Sequence, residues 1–322
     1  MNYYLGIDIG ATKSHALIAD ENGKAVGFGA TGPGNHEVVG WEGYRRVLQE
    51  ITRQALDSAG VEISQIRGAG FGIAGYDWPS QRDPTLDGIA TLGLDCPLEA
   101  VNDAVLGIFA GSSEGWGISI ISGTGENCWG VDRERRYAHM TGNGALMGEY
   151  GGAGTIVARA LQAVAKEWGR RGPKTRLTPV FIQRTGASDL DDMLEGLVLG
   201  RYKLSAADAP LVFQVAEAGD AVAVGVLRWA GNELADMING VSRQLGFTEQ
   251  PFEVVMIGST FKGGRLLIGP MKAAVRAVNP KARFVRLHAP PVVGAVLLGM
   301  EQAGVDGYTV RKQLIQTASD LL

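Results

Sequence analysis

Three short stretches of the chain hold residue types able to handle phosphate. The first is "DIGATKS", Asp8 to Ser14. Gly10 brings backbone N–H groups close to a ligand with no side chain in the way, and Thr12, Lys13 and Ser14 add hydroxyls and a cation. Such a turn forms a small anion-binding concavity. Asp8 ends the preceding strand. A carboxylate beside phosphate repels it unless a cation intervenes, so Asp8 reads either as a Mg²⁺ partner acting through water or as a local cap of a hairpin. The second stretch is Ser122-Gly123-Thr124-Gly125, which has no bulky residue at all. A plain hairpin needs fewer small residues than this, so a ligand close to the backbone is the second reading. The third is Asn102-Asp103, which fits a helix N-cap or a carboxylate held at a strand end to take a proton from a substrate hydroxyl. One match is rejected: "GFGIAG" (Gly70–Gly75) has the letters of a dinucleotide fingerprint, but "YDWPSQRDP" follows where a helix should open. No G-x-x-x-x-G-K-[ST] P-loop occurs.

The elements around these stretches repeat. "YYLGIDI", "KSHALIA" and "KAVGFGAT" read as three strands joined by glycine-containing turns. "WGISIIS", "ENCWGV" and "RYAHMT" repeat the arrangement, with Gly10 and Gly123, and Asp20 and Asp132, at nearly the same offset. A helix is expected over "WEGYRRVLQEITRQALDSAG" and a strand through "IRGAGFGIAG". A helix at about 85–92, the strand "LEAV" and the helix "AVLGIFAG" follow. The pattern from about 148 to 246 is helical. After it come "PFEVVMIGS" as strand, "RLLIGPMKAAVRAV" as helix, "ARFVRL" as strand and "PPVVGAVLLGMEQAG" as helix. An internal repeat of this kind predicts a duplicated α/β domain and a cleft between the copies. The lobes are expected at 1–115 and 116–322, the second carrying a helical insertion at about 148–246. The helix at about 291–303 is expected to pack back on the first lobe.

Composition narrows the classes. The 322 residues carry a net charge of −4 with no basic run, which gives nucleic acid no electrostatic footprint. The longest apolar stretch, "PPVVGAVLLGM", falls short of a membrane span, and the N-terminus lacks the pattern of a signal peptide. The two cysteines, Cys96 and Cys128, form no CxxC, and the four histidines are scattered, so no zinc site is expected and a reducing cytoplasm is the expected location.

Taken together, the stretches resemble the phosphate and connecting motifs of the sugar kinase, Hsp70 and actin superfamily. More narrowly, the chain resembles the N-acetylglucosamine kinases and their relatives, the BadF/BadG/BcrA/BcrD-type ATPases. "GIDIGATKSHALIADENGK" is similar to the first phosphate motif and "ISGTGEN" to the second. "VNDAVLG" is similar to the connecting motif with the catalytic aspartate, "VVMIGSTFKGG" to the adenosine motif, and "PPVVGAVLLG" to the second connecting helix. The resemblance implies a two-lobed actin-like (ribonuclease H-like) ATPase fold of duplicated βββαβαβα lobes, and an ATP- and Mg²⁺-dependent kinase acting on the 6-hydroxyl of N-acetylglucosamine or glucosamine. Asp103 would be the general base. Asp8 would serve the metal, and Gly10, Thr12, Lys13, Gly123, Thr124 and Gly125 the phosphates. Ala216, Gly258 and Ser259 would lie against the adenosine. Asn35, Gly75, Asp103, Thr124, Asn143, Gly144 and Glu149 would meet the sugar. It further implies a cytoplasmic homodimer. An activator ATPase with an iron–sulfur cluster and a non-catalytic sugar sensor are the alternatives that the same resemblance leaves.

The chain departs from the family pattern in the sugar loop, usually GWG…GDEGS. Here Asn143 replaces the Trp, Glu149 the Asp, Tyr150 the Glu and Gly152 the Ser; Glu126 replaces a Ser in the second phosphate turn. A carboxylate at 126 would repel a γ-phosphate unless it points away or binds the metal. Trp78 is a candidate replacement for the missing aromatic platform, packing on its own lobe being the other reading.

Overall fold

The computed structural model describes residues 1–322. It contains two five-stranded sheets of the same order, each built by the same series of elements. In the first, the meander β1 (Tyr3–Ile9), β2 (Ser14–Asp20) and β3 (Ala25–Thr31) leads into α1 (His36–Ala59), β4 (Ile66–Ile73), α2 (Arg82–Ala90), β5 (Leu98–Asn102) and α3 (Asp103–Gly111). The sheet order is β3-β2-β1-β4-β5, antiparallel within the meander and parallel from β1 to β5. The parallel strands β1 and β4 are apolar almost throughout, as strands covered on both faces must be.

The second unit repeats this with β6 (Gly117–Ser122), β7 (Glu126–Val131) and β8 (Tyr137–His139). Four helices follow: α4 (Ala153–Trp168), α5 (Leu177–Thr185), α6 (Leu190–Val198) and α7 (Ala209–Glu217). The unit is completed by α8 (Ala221–Leu245), β9 (Glu253–Ile257), α9 (Arg265–Val278), β10 (Arg283–Arg286) and α10 (Pro291–Gln302). Its sheet runs β10-β9-β6-β7-β8, the mirror listing of the first. The duplicated βββαβαβα series expected from the repeat is therefore the architecture of the chain.

Several boundaries differ from expectation. The first helix begins at His36, not Trp41, because Asn35 caps it by accepting the Glu37 N–H at 2.8 Å; Gly40, at φ +70°, interrupts it. The extra helices are α4–α7 only. α8 packs on β6 and β7 as α1 packs on β2 and β3, so the expected insertion of 148–246 swallowed a helix that belongs to the repeat. A last helix, α11 (Arg311–Ser319), escaped notice because it buries only Leu314 and Ala318. None of the helices is long and apolar enough to cross a membrane.

The helix α10, last in the second series, does not lie on the second sheet. It packs on β1, β4 and α3 of the first unit. The approach is backbone to backbone: a Cβ placed on Gly70 would stand 2.2 Å from the Ala295 carbonyl oxygen, and one on Gly68 would stand 2.1 Å from that of Gly299.

Candidate active site

Strand ends position the site. β1 stops at Ile9, and the chain turns through Gly10, whose N–H donates to the Lys13 carbonyl at 3.1 Å. The Gly10 carbonyl accepts from Gly34 N–H at 3.0 Å and Asn35 N–H at 3.3 Å, which ties this turn to the start of α1. Asp103 is the first residue of α3. Capping falls to its neighbour: Asn102 Oδ1 accepts the Ala104 N–H at 2.9 Å, leaving the Asp103 carboxylate for other work.

Asp8, Gly10, Thr12, Lys13 and Asp103 line one cavity of about 250 Å³, closed on the far side by Ile121 and Ile257 of the second unit. Two of the three chemically able stretches thus meet two strands of the opposite sheet. Burial, then the charge of Asp103, pushes the Asp8 carboxyl up to about 7, with Lys13 opposing. Burial, then the charge of Asp77, lifts Asp103 to about 7, against two backbone N–H donors. Two half-buried carboxyls facing one cavity are a donor set that a divalent cation suits.

The second turn is held from behind. Gly123 N–H donates to the Gly125 carbonyl at 2.9 Å, while the N–H groups of Ala153 and Gly154, in the first turn of α4, donate to the carbonyls of Gly123 (2.8 Å) and Thr124 (3.0 Å). Thr260 Oγ1 donates to the Ser122 carbonyl at 2.6 Å. Gly123, Thr124 and Ser259 line a larger cavity of about 570 Å³. Gly125 stays outside it as the closing residue of the turn. Gly258 also stays outside: at φ +113°, with a Cβ position only 2.1 Å from the Ser122 carbonyl oxygen, it lets the end of β9 press on the turn.

Ala216 does not line this cavity. It faces the core of the second unit at 2 % exposure, and Phe213, Gln214 and Glu217 of the same helix line the cavity instead, with Lys262 and Gly263 opposite. Helical spacing around "LVFQVAEAG" carried that signal, since residues three and four apart share a face.

On the sugar side, Asn35 and Gly75 meet: a Cβ on Gly75 would stand 2.6 Å from Asn35 Oδ1. Asn143 is exposed and turned inward on its own loop, Nδ2 donating to the Thr141 carbonyl at 2.9 Å. Glu149 closes that loop, Oε1 accepting the Thr141 N–H at 2.6 Å, and Glu149 N–H donates to the Gly144 carbonyl at 3.0 Å.

The Glu126 question has a geometric answer. Its Oε2 accepts the Gly152 N–H at 2.6 Å, so the carboxylate leans toward the start of α4 and the sugar loop. Trp78 reaches beyond its own lobe. It stands edge-on to His139 of β8, ring centroids 5.7 Å apart, and His139 stacks on Trp129 of β7 at 4.2 Å. The loop after β4 therefore reaches the second sheet, and it carries Asp77, which sequence reasoning missed. Asp77 Oδ1 accepts Asn102 Nδ2–H at 2.9 Å.

Comparison with known proteins agrees with this geometry. The model of the BadF/BadG/BcrA/BcrD ATPase family matches residues 5–299. The chain belongs to that family. It is 27% identical over 304 residues to an N-acetylmuramic acid/N-acetylglucosamine kinase of Clostridium acetobutylicum, covering 94% of this chain and 99% of that one. It is 26% identical over 311 residues to an N-acetyl-D-glucosamine kinase of Dictyostelium discoideum (92% and 97%). A solved structure from Chromobacterium violaceum, designated a candidate N-acetylglucosamine kinase, shares the fold at a TM-score of 0.67 and 21% identity, covering 92% of this chain and 99% of that one. The family is one of ATPases, and the fold is shared with solved sugar kinases.

Proposed function

We propose that this member of the family is an ATP-dependent kinase of an amino sugar, N-acetylglucosamine or glucosamine, that phosphorylates the 6-hydroxyl. The observation that carries the reading is the cavity shared by Asp8, the first phosphate turn and Asp103, facing the second sheet. The names of the two sequence relatives support the kinase over an activator ATPase or a sensor.

In this reading ATP spreads over both turns, with its adenosine in the larger cavity beside Ser259 and Phe213 and its γ-phosphate toward Asp8. The sugar enters between Asn35, Gly75 and the Gly144–Glu149 loop. Asp103 accepts the proton of the 6-hydroxyl as that oxygen attacks the γ-phosphorus, the bond to the bridging oxygen breaks, and ADP leaves. A carboxyl titrating near neutrality is suited to this task. Bound Mg²⁺, which Asp8 would hold, neutralises charge on the phosphates. Lys13, exposed beside the turn, adds a second positive charge. Placement of the two turns on separate sheets lets closure of the lobes align the reacting groups and exclude water. Assembly as a homodimer and a cytoplasmic location belong to the same proposal.

The test is ADP release from Mg-ATP with N-acetylglucosamine, glucosamine, N-acetylmannosamine, N-acetylmuramic acid and glucose. Sugar-dependent turnover with one favoured substrate supports the reading. Slow hydrolysis indifferent to every sugar defeats it.

A further inference from the structure

Four carboxylates gather where the sugar is expected, and no lysine or arginine is ion-paired to any of them: Glu37, Asp77, Glu126 and Glu149. Two are buried outright, Glu126 at 8 % exposure and Glu149 at 5 %. Glu149 spends Oε1 on the Thr141 N–H, and its Oε2 is buried with no hydrogen-bond partner. Glu126 spends Oε2 on the Gly152 N–H, and its Oε1 faces Gly144, where a Cβ would stand 3.3 Å away. Both acids flank Gly144, whose carbonyl accepts the Glu149 N–H at 3.0 Å; burial, with the Glu149 charge adding to it, raises Glu126, and burial, then the charges of Glu37 and Glu149, raises Asp77. Only the half-buried His139 imidazole acts on Asp77 in the opposite sense.

Buried carboxylates without a counter-charge are costly, several kcal/mol each by general reckoning, and a cationic ligand offsets that cost. Nowhere in the chain do three acidic, histidine or cysteine side chains converge closely enough to cage a metal ion. An ammonium group needs less: a few oxygens around three N–H donors.

We propose that the sugar carries a free ammonium in place of an acetamide, and that Glu126 Oε1 and the unpartnered Glu149 Oε2 receive it. This rests on the kinase reading and fixes its substrate class as a cationic amino sugar. Both residues stand where the family pattern has a different side chain. An acetamide brings no charge to these carboxylates. A site whose buried polar groups go unpaired discriminates strongly against the analogue that fails to pair them.

The experiment compares kcat/KM for glucosamine, N-acetylglucosamine and glucose in the wild type, Glu126→Gln and Glu149→Gln, with thermal melts of each protein. Both glutamines keep an acceptor for the backbone N–H that the native carboxylate holds. The expected wild type favours glucosamine by at least about tenfold over either other sugar. Each variant should lose about tenfold or more on glucosamine relative to its change on glucose, so that the ratio of the two collapses. Turnover favouring N-acetylglucosamine, or variants that leave the glucosamine-to-glucose ratio intact, overturns the ammonium site and leaves the kinase standing. No sugar-dependent turnover at all overturns both.

Discussion

The Gly152 N–H donates to Glu126 Oε2 at 2.6 Å, and a Cβ on Gly152 would stand 2.3 Å from that oxygen and 2.5 Å from the Gly125 carbonyl carbon. These are two of the positions at which the chain leaves its family pattern, and they are one structural unit: the longer acid at 126 occupies the space that a side chain at 152 would need.

Gly152→Ala should therefore push α4 away from the second turn. The clash involves backbone as well as a carboxylate, so a loss of about 1–3 kcal/mol in stability is expected. Because Ala153 and Gly154 hold the carbonyls of that turn, the KM for ATP should rise too. Chemical denaturation and nucleotide titration check the two effects separately.

Asp103→Asn should lower kcat by about 10²–10⁴-fold, the usual share of a general base, while ATP affinity stays within about twofold. The helix start survives the change, because Asn102 does the capping. Retained turnover would remove Asp103 from the base role.

A titration at the same residue gives the pH profile. Asp103 must be ionised to accept a proton and stands near 7 through burial and the charge of Asp77. The expected kcat/KM thus rises with pH up to about 7 and levels off. Asp77→Asn removes a negative neighbour, so Asp103 ionises more readily and the acid limb moves to lower pH. A limb that stays in place, or moves upward, contradicts the assignment.

Stability should run the other way. Asp8 and Asp103 titrate near 7 in the folded chain and near 4 when unfolded. Between those values the folded state binds more protons, so the ligand-free protein is expected to lose stability as pH rises from about 4 to 7. Asp8→Asn should flatten that decline. Calorimetric melts across the range, with and without Mg-ATP, measure it, and a wild-type decline unchanged in the variant would refute the coupling.

How far these groups could be read from the chain varies with distance in sequence. The two meanders were legible because alternation and a glycine turn are local signals, and the repeat of Gly10 at Gly123 gave the duplication. Asp8 and Asp103 were legible as strand-end acids. Ala216 was read from a motif, which gives a position along a helix but not the face; its neighbours Phe213 and Glu217 line the cavity. Asp77 was missed because its setting comes from a loop that crosses to His139 and Glu149, more than sixty residues away. The membership of α8 in the repeat was hidden for a related reason, since amphipathic periodicity does not say which sheet a helix covers.

The seat of α10 has a consequence for synthesis. Its backbone fills the space left by Gly68 and Gly70, so one face of the first sheet is covered only in part, by α3, until about residue 302 has been made. The earliest-translated third of the chain cannot finish its own core. It waits on the ribosome until α10 has been made, and within that interval it is a natural client for holding chaperones and a natural victim of stalled translation.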